Sequence, residues 1–269
     1  MTALRSLLFN FLLFAWTAIY CVGILWSLLL PKPAFLAVIR FYLRSLHWLE
    51  KALLGLDYKV TGWENVPDGP FILAAKHQST WETMKLHLLF DDPAPVMKRE
   101  LMWIPIWGWY AAKADVIPVN RGGRSKAVGS MIDGARRMAR QGRPIVIFPQ
   151  GTRVAAGVWA PYRIGIAALY DALDLPVLPM ALNSGVFWPR RSFIKKPGTI
   201  TVEFLPPLPP DLSRDVMLAR LEVELEAATD RLVVAEGGEA TIRPADAPPP
   251  GARAMARTNG GREPEILAE

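Results

Sequence analysis

Cysteine is almost missing from this chain. Its 269 residues include one, Cys21, so no disulfide framework can form within it, and a reducing compartment suits it. Histidine is scarce as well: His47, His77 and His87 are the three. No spacing of Cys, His, Asp or Glu outlines a metal site, and no cofactor motif is present. Zinc-finger spacings, RNP-like aromatic motifs and other nucleic-acid modules are absent too, which argues against nucleic acid as a partner. Residues 6–30 lack charge altogether. As a helix this stretch would span roughly 37 Å, enough to cross a bilayer. The run exceeds a usual signal-peptide core and is followed by Pro31 and Lys32 rather than a small-residue cleavage site, so a retained anchor is expected.

What the chain does have is apolar surface and positive charge. Hydrophobic residues make up 51%, with ten tryptophans and a net charge of +6. The mean hydropathy is +0.19 and the pI about 9.5. A partner that is both apolar and anionic fits this balance, and phospholipid is such a partner. Residues 33–54 read as a second helix with Phe35, Ile39, Leu43, Leu46 and Leu53 near one side. Arg40, Arg44 and Lys51 lie among Phe41, Tyr42 and Trp48, a mixture suited to a helix lying in the bilayer interface. Shallow, one-sided insertion is therefore expected rather than a full crossing. Arg5 alone precedes the apolar run, while Lys32, Arg40, Arg44 and Lys51 follow, so the positive-inside rule puts the body of the protein on the cytosolic side of the cytoplasmic membrane.

From Asp57 the pattern becomes α/β. Short apolar runs near residues 58–61, 71–75, 95–97, 116–119, 144–148, 176–182 and 199–204 read as strands. Residues 81–90, 124–140 and 162–173 read as helices. Met217, Leu218, Leu221, Leu225, Ala228 and Leu232 carry helical spacing and predict a closing helix from about Ser213. Trp103, Trp107, Trp109 and Tyr110 suggest core packing, a wall against acyl chains or a membrane contact. From Gly237 the chain is rich in Gly, Ala, Pro and Arg, and is expected to be disordered.

The stretch Lys76-His77-Gln78-Ser79-Thr80-Trp81-Glu82 sits where a strand hands over to a helix, a common station for catalytic groups. Two readings compete. Ser79 and Glu82 fit a capping box. Alternatively His77 is a general base and Glu82 its orienting carboxylate. On one ideal helix five residues leave the two side chains about 140° apart. They meet only if His77 precedes the helix and the chain turns at Gln78 to Thr80. A second stretch, Ile147-Phe148-Pro149-Gln150-Gly151-Thr152-Arg153, puts a glycine, a hydroxyl and a guanidinium after a buried strand, the equipment for holding a phosphate. By itself it is equally a plain turn with a surface arginine.

Together, about seventy residues apart, the two stretches resemble the glycerolipid acyltransferases, and most of all the bacterial 1-acylglycerol-3-phosphate acyltransferases. That family carries H-x-x-x-x-D, a K-x-E-L and N-R region, F-P-E-G-T-R, and a V-P-V-x-P-like strand. Here they match His77 to Glu82, Lys98 to Leu101 with Asn120-Arg121, Phe148 to Arg153, and Leu175 to Pro179. The resemblance covers about residues 55–235. It departs at Glu82, where the family has Asp, and at Gln150, where it has Glu.

The resemblance implies an α/β fold, a central mixed sheet flanked by helices, behind a two-helix membrane-binding module. The expected division is 1–55 for the anchoring helices, 56–236 for the acyltransferase domain and 237–269 for the tail. The implied reaction moves a fatty acyl group from acyl carrier protein or coenzyme A to lysophosphatidate. His77 and Glu82 would be catalytic, and Lys98, Arg121, Gln150, Gly151, Thr152 and Arg153 would bind substrate, with Arg163 a further candidate for the phosphate. Backbone N–H groups between Gln78 and Trp81 would suit the oxyanion. Other readings stay open: another lysolipid acceptor such as a lyso-ornithine lipid or lysophosphatidylglycerol, a lipid-binding protein without turnover, or a thioesterase.

Overall fold

The computed structural model describes residues 2–120 and 124–252. The chain opens with α1 (Thr2–Gly23), a 3₁₀ segment (Leu25–Leu29) and α2 (Lys32–Leu49), which continues into a π-helical turn at Glu50–Leu54. Gly55 closes this hairpin in the left-handed region, φ 64°, a conformation that glycine adopts without steric cost.

A single seven-stranded sheet follows. In chain order its strands are β1 (Leu56–Thr61), β2 (Ile72–Ala75), β3 (Ala94–Lys98), β4 (Ile117–Val119), β5 (Ile145–Ile147), β6 (Val177–Leu182) and β7 (Gly198–Phe204). Across the sheet they run β1-β7-β6-β2-β5-β3-β4. All neighbours are parallel except β6 and β7, so the sheet is mixed.

The helices of this domain are α3 (Trp81–Leu89), α4 (Trp107–Lys113), α5 (Arg124–Ala139), α6 (Ile164–Leu173), α7 (Ser184–Phe187) and α8 (Arg214–Ala235). Period-two alternation assigns each strand residue to a face. In β2, Ile72 and Ala74 face the layer of α5, α6 and α8, where Met131, Ile166 and Leu221 are buried. Leu73 and Ala75 face the opposite layer, with Trp81 and Leu86 of α3 and Phe9 of α1. The fold therefore has helices on both faces of the sheet, as a mostly parallel sheet requires.

The N-terminal hairpin is bonded to this body. Phe9 is fully buried and meets Trp188 edge to face at 5.4 Å. Ser6 Oγ donates to the Lys195 carbonyl, and Asn10 accepts from Lys195 Nζ at 2.6 Å. Trp16 Nε1 donates to Ser45, and Thr17 pairs with the Tyr42 hydroxyl. The few polar residues of the apolar run thus face protein. Leu4, Leu7, Leu8, Phe11, Phe14 and Ile19 face outward. By length and composition α1 is long enough to cross a membrane. Its first turns are nevertheless held against the domain by these bonds.

The tryptophan-rich segment divides. Tyr110 is buried, stacks on Phe35 and donates to the Cys21 carbonyl at 2.5 Å. Trp103 and Trp109 are exposed. The segment therefore braces the hairpin with one side and presents two indoles with the other. The expectation of disorder from Gly237 also needs correcting for its first part. Residues 237–252 lie on α8, with Thr241 donating to Asp230 and Arg243 to Glu222. Buried Glu222 and half-buried Asp230 on α8 supply acceptors that composition alone does not reveal. Residues 253–269 lie outside the described ones.

Candidate active site

The residues singled out in the sequence sit at one edge of the sheet. β6, β2, β5, β3 and β4 are mutually parallel neighbours, so their carboxyl ends line up. His77 follows β2, Gln150 to Arg153 follow β5, and Lys98 ends β3. Carboxyl ends of parallel strands are where open α/β sheets bind ligands. Arg121, after β4, lies outside the described residues. Lys98 lies two strands from β2, roughly 10 Å across the sheet. Its side chain is half exposed and pairs with Glu100 at 3.4 Å.

Glu82 bonds both to the turn before α3 and to His77. Its Oε1 accepts from Gln78 N at 2.8 Å and Ser79 N at 2.7 Å, capping the turn that enters α3. The same oxygen lies 2.8 Å from His77 Nδ1. Its Oε2 accepts from Ser184 Oγ at 2.8 Å. His77 precedes the helix, so the chain turns as the convergence requires. The carboxylate is 1% exposed yet meets four partners, which is how a buried carboxylate is tolerated. An ionised Glu82 only accepts, so Nδ1 is the donor of this contact, and in a neutral imidazole the lone pair is then on Nε2. The extra methylene relative to Asp is taken up without loss of this contact.

Phe148, from the second stretch, stacks on the His77 ring at 3.9 Å. Val154 N donates to the His77 carbonyl at 2.8 Å. Arg153 Nη1 donates to Thr80 Oγ1 at 2.5 Å, and Arg190 donates to the Arg153 carbonyl. The two stretches therefore form one site, with a guanidinium beside the start of α3. Gly151 has φ 69°, and a side chain there would press on Arg163 at 3.2 Å. Thr152 is exposed.

Two expectations change. Gln150 is 2% exposed, and neither of its amide atoms has a hydrogen-bond partner among the described residues. It lies beneath the turn rather than on its surface, because the chain buries position 150 while Thr152 points outward. The oxyanion expectation also loses three of its four donors. Gln78 N and Ser79 N serve Glu82, and Trp81 N donates to Ser79 Oγ at 3.2 Å. Ser79 is itself fully buried.

Sequence reasoning missed Ser184, Phe148 as a ring support, and Lys76. Lys76 Nζ reaches Glu226 at 2.6 Å, and the Tyr162 hydroxyl donates to the same carboxylate at 2.9 Å. Burial, followed by the negative charge of Glu226, pushes the Tyr162 phenol well above its ordinary range. A buried lysine beside the histidine was a visible signal for an acidic partner; nothing local pointed to Ser184. No group of three or more metal-ligating side chains occurs among the described residues.

Comparison with known proteins gives the family. A family model described as Acyltransferase matches residues 57–183. A 1-acyl-sn-glycerol-3-phosphate acyltransferase of Pseudomonas aeruginosa is 34% identical over 84% of this chain and 88% of its own length. The alpha form from Mus musculus is 28% identical over 76% of this chain and 75% of its own. The crystal structure of the LPA acyltransferase PlsC of Thermotoga maritima shares the fold with a TM-score of 0.69 at 22% identity, covering 86% of this chain and 99% of that one. The chain is therefore an enzyme of the acyltransferase family to which the 1-acyl-sn-glycerol-3-phosphate acyltransferases belong.

Proposed function

We propose that this enzyme moves a fatty acyl group from an acyl thioester to the sn-2 hydroxyl of lysophosphatidate, giving phosphatidate in phospholipid synthesis. The observation that carries the reading is the buried carboxylate of Glu82 oriented on His77, with Arg153 held beside the same helix start. The acceptor hydroxyl attacks the thioester carbonyl while His77 Nε2 takes its proton. Collapse of the tetrahedral species releases the thiolate, which takes the proton back from the imidazolium. Glu82 stabilises that imidazolium and holds the ring. A positioned base of this kind contributes typically 10²–10⁴-fold. Arg153 supplies a planar fork for the acceptor's phosphate, with Lys98 and Arg121 as outer cations. The donor is acyl carrier protein or coenzyme A, and both are thioesters of the same chemistry.

The reaction would take place at the cytoplasmic membrane, the domain on its cytosolic side. The outward apolar face of α1, joined by Trp26 and Leu29, would enter one leaflet while the docked face stays on protein. Gln150, uncharged where the family carries Glu, favours a second reading in which another lysolipid is the acceptor.

The test is acyl transfer in mixed micelles with each donor type, comparing wild type and His77→Ala. Phosphatidate made by wild type and reduced at least a hundredfold in the variant supports the reading. Product from a competing lysolipid alone would reassign the acceptor. Folded wild-type protein that acylates no lysolipid would overturn it.

A further inference from the structure

The loop that follows Arg153 has little structure of its own. Residues 154–163 join the Gly151–Arg153 turn to α6 without regular secondary structure. Its site end is tied down by Val154 N on the His77 carbonyl and by Arg163 N on the Pro149 carbonyl. Its middle rests on the C-terminal segment. Val158 pairs with Ile242 in an isolated parallel bridge. At Gly157, φ 77°, a side chain would meet the Glu239 carbonyl at 3.0 Å.

Glu222 of α8 is the centre of this contact. It is 4% exposed, and three donors from two segments converge on it. Trp159 Nε1 and Arg243 Nη1 reach its Oε1 at 3.3 and 2.7 Å, and Gly251 N reaches its Oε2 at 2.9 Å. The Arg243 guanidinium also lies over the Trp159 ring at 5.1 Å, and its other nitrogen donates to the Pro248 carbonyl. Arg243 is thus the cation of a buried carboxylate, the cover of the loop's indole and the internal tie of the segment that carries it. Segments with few bonds of their own take their position from such contacts.

We propose that residues 239–251 are a strap that positions the loop behind the Gly151–Arg153 turn, with Arg243 as the positioning residue, a role that rests on reading this turn as part of the acceptor site. Arg243 touches no reacting atom. It acts through Trp159 and the loop on Arg153 and on the backbone at His77.

The test compares wild type, Arg243→Ala and Arg243→Lys as full-length protein, by amide hydrogen exchange and by acyl transfer at varied lysophosphatidate. In Arg243→Ala, exchange is expected to quicken in residues 154–163 as well as in 239–251. The KM for the acceptor is expected to rise about fivefold to tenfold with kcat within about twofold. Arg243→Lys, which keeps the charge, is expected to restore part of both. Should Arg243→Ala fail to fold, Trp159→Phe carries the test, because it removes the N–H to Glu222 while keeping a smaller aromatic face for Arg243. Quickened exchange confined to the strap, or an unchanged acceptor KM in an active enzyme, would overturn the proposal. A wild type without transferase activity counts against the acyl-transfer reading instead, and the exchange comparison then decides by itself whether the strap holds the loop.

Discussion

Phe148 lies face to face with His77, the ring centroids 3.9 Å apart and the planes inclined by 21°. The first residue of the second motif is therefore one wall of the pocket that holds the histidine of the first. Phe148→Leu keeps an apolar filler and removes the flat support. We expect kcat to fall about threefold to tenfold with little change in acceptor KM, since the loss is in ring orientation. Steady-state kinetics with folding checked by circular dichroism would show it. An unchanged kcat would mean Glu82 alone orients the ring.

Glu82 tests the same ring from its other side. Glu82→Gln keeps the shape but places an uncharged amide against His77 Nδ1, Gln78 N and Ser79 N. The imidazolium loses its counter-charge and the tautomer its anchor, so kcat should drop about 10²–10⁴-fold. Ser184→Ala leaves Glu82 Oε2 buried without its donor, costing about 1–3 kcal/mol of stability, with a milder fall in kcat. If Glu82→Gln retained more than a tenth of wild-type kcat, the carboxylate would be only a helix cap.

Arg153 is expected to act on binding. Arg153→Ala should raise the acceptor KM about tenfold to a hundredfold, the loss of a charge-assisted contact with phosphate. Arg153→Lys should recover only part, because an ammonium lacks the planar fork. Titrating lysophosphatidate against both variants measures this directly. Equal acceptor KM in wild type and Arg153→Ala would remove Arg153 from the phosphate site.

A buried ion pair joins the hairpin to the catalytic helix. Lys85 Nζ of α3 meets Glu50 Oε2 at 2.7 Å with both side chains 1% exposed, and Trp81 Nε1 donates to the same oxygen. Burial lowers the Lys85 pKa even against the pull of Glu50. Lys85→Ala takes the lysine's charge from the buried Glu50 carboxylate, leaving it Trp81 Nε1 and His47 Nδ1, and should cost about 3 kcal/mol. Replacing both, Glu50→Leu with Lys85→Met, should recover most of that loss, because it removes the two charges together. Denaturant unfolding of the wild type and the two variants in detergent would separate these outcomes.

His87, in the last turn of α3, gives a pH prediction. Desolvation is the main cause that lowers its pKa to about 4, with Arg143, Arg40 and Lys32 adding to the effect and Asp92 opposing it. The folded state therefore resists protonation that the unfolded chain accepts below about pH 6.5. Stability from the neutral ring is complete above that value and is lost as pH falls toward 4, by at most about 1.4 kcal/mol per pH unit. The ring is not wholly covered, so we expect a loss of about 1–2 kcal/mol between pH 6.5 and 4.5. His87→Gln should flatten that slope, and unfolding midpoints at the two pH values read it out.

Much of the site could be read before any coordinates. Lys76 to Glu82 and Phe148 to Arg153 are local patterns in which residue types, order and spacing carry the chemistry. The strand-to-helix placement of His77 followed from one apolar run ending and a helical one starting. Gln150 was harder. Its neighbours Gly151 and Thr152 are turn residues, so it reads as surface, yet the fold buries it and leaves its amide without a hydrogen-bond partner among the described residues.

Local periodicity was enough to determine the strands and the longer helices, though not α4 or α7, because a strand's alternation and a helix's stripe are written in consecutive residues. It gave β2 two apolar faces and α8 its buried stripe, and it marked α1 as a lipid-compatible helix. Only the tertiary structure decided which strands lie side by side, and so that β2 and β5 carry their two motifs to one edge. It also decided that Ser184 completes the shell of Glu82 across 102 positions of sequence, that α1 is tied to the domain, and that part of the tail is a strap. Those contacts join residues whose local patterns do not mention each other. Their partners are chosen by long-range hydrogen bonding and burial, which exist only once the chain has closed on itself.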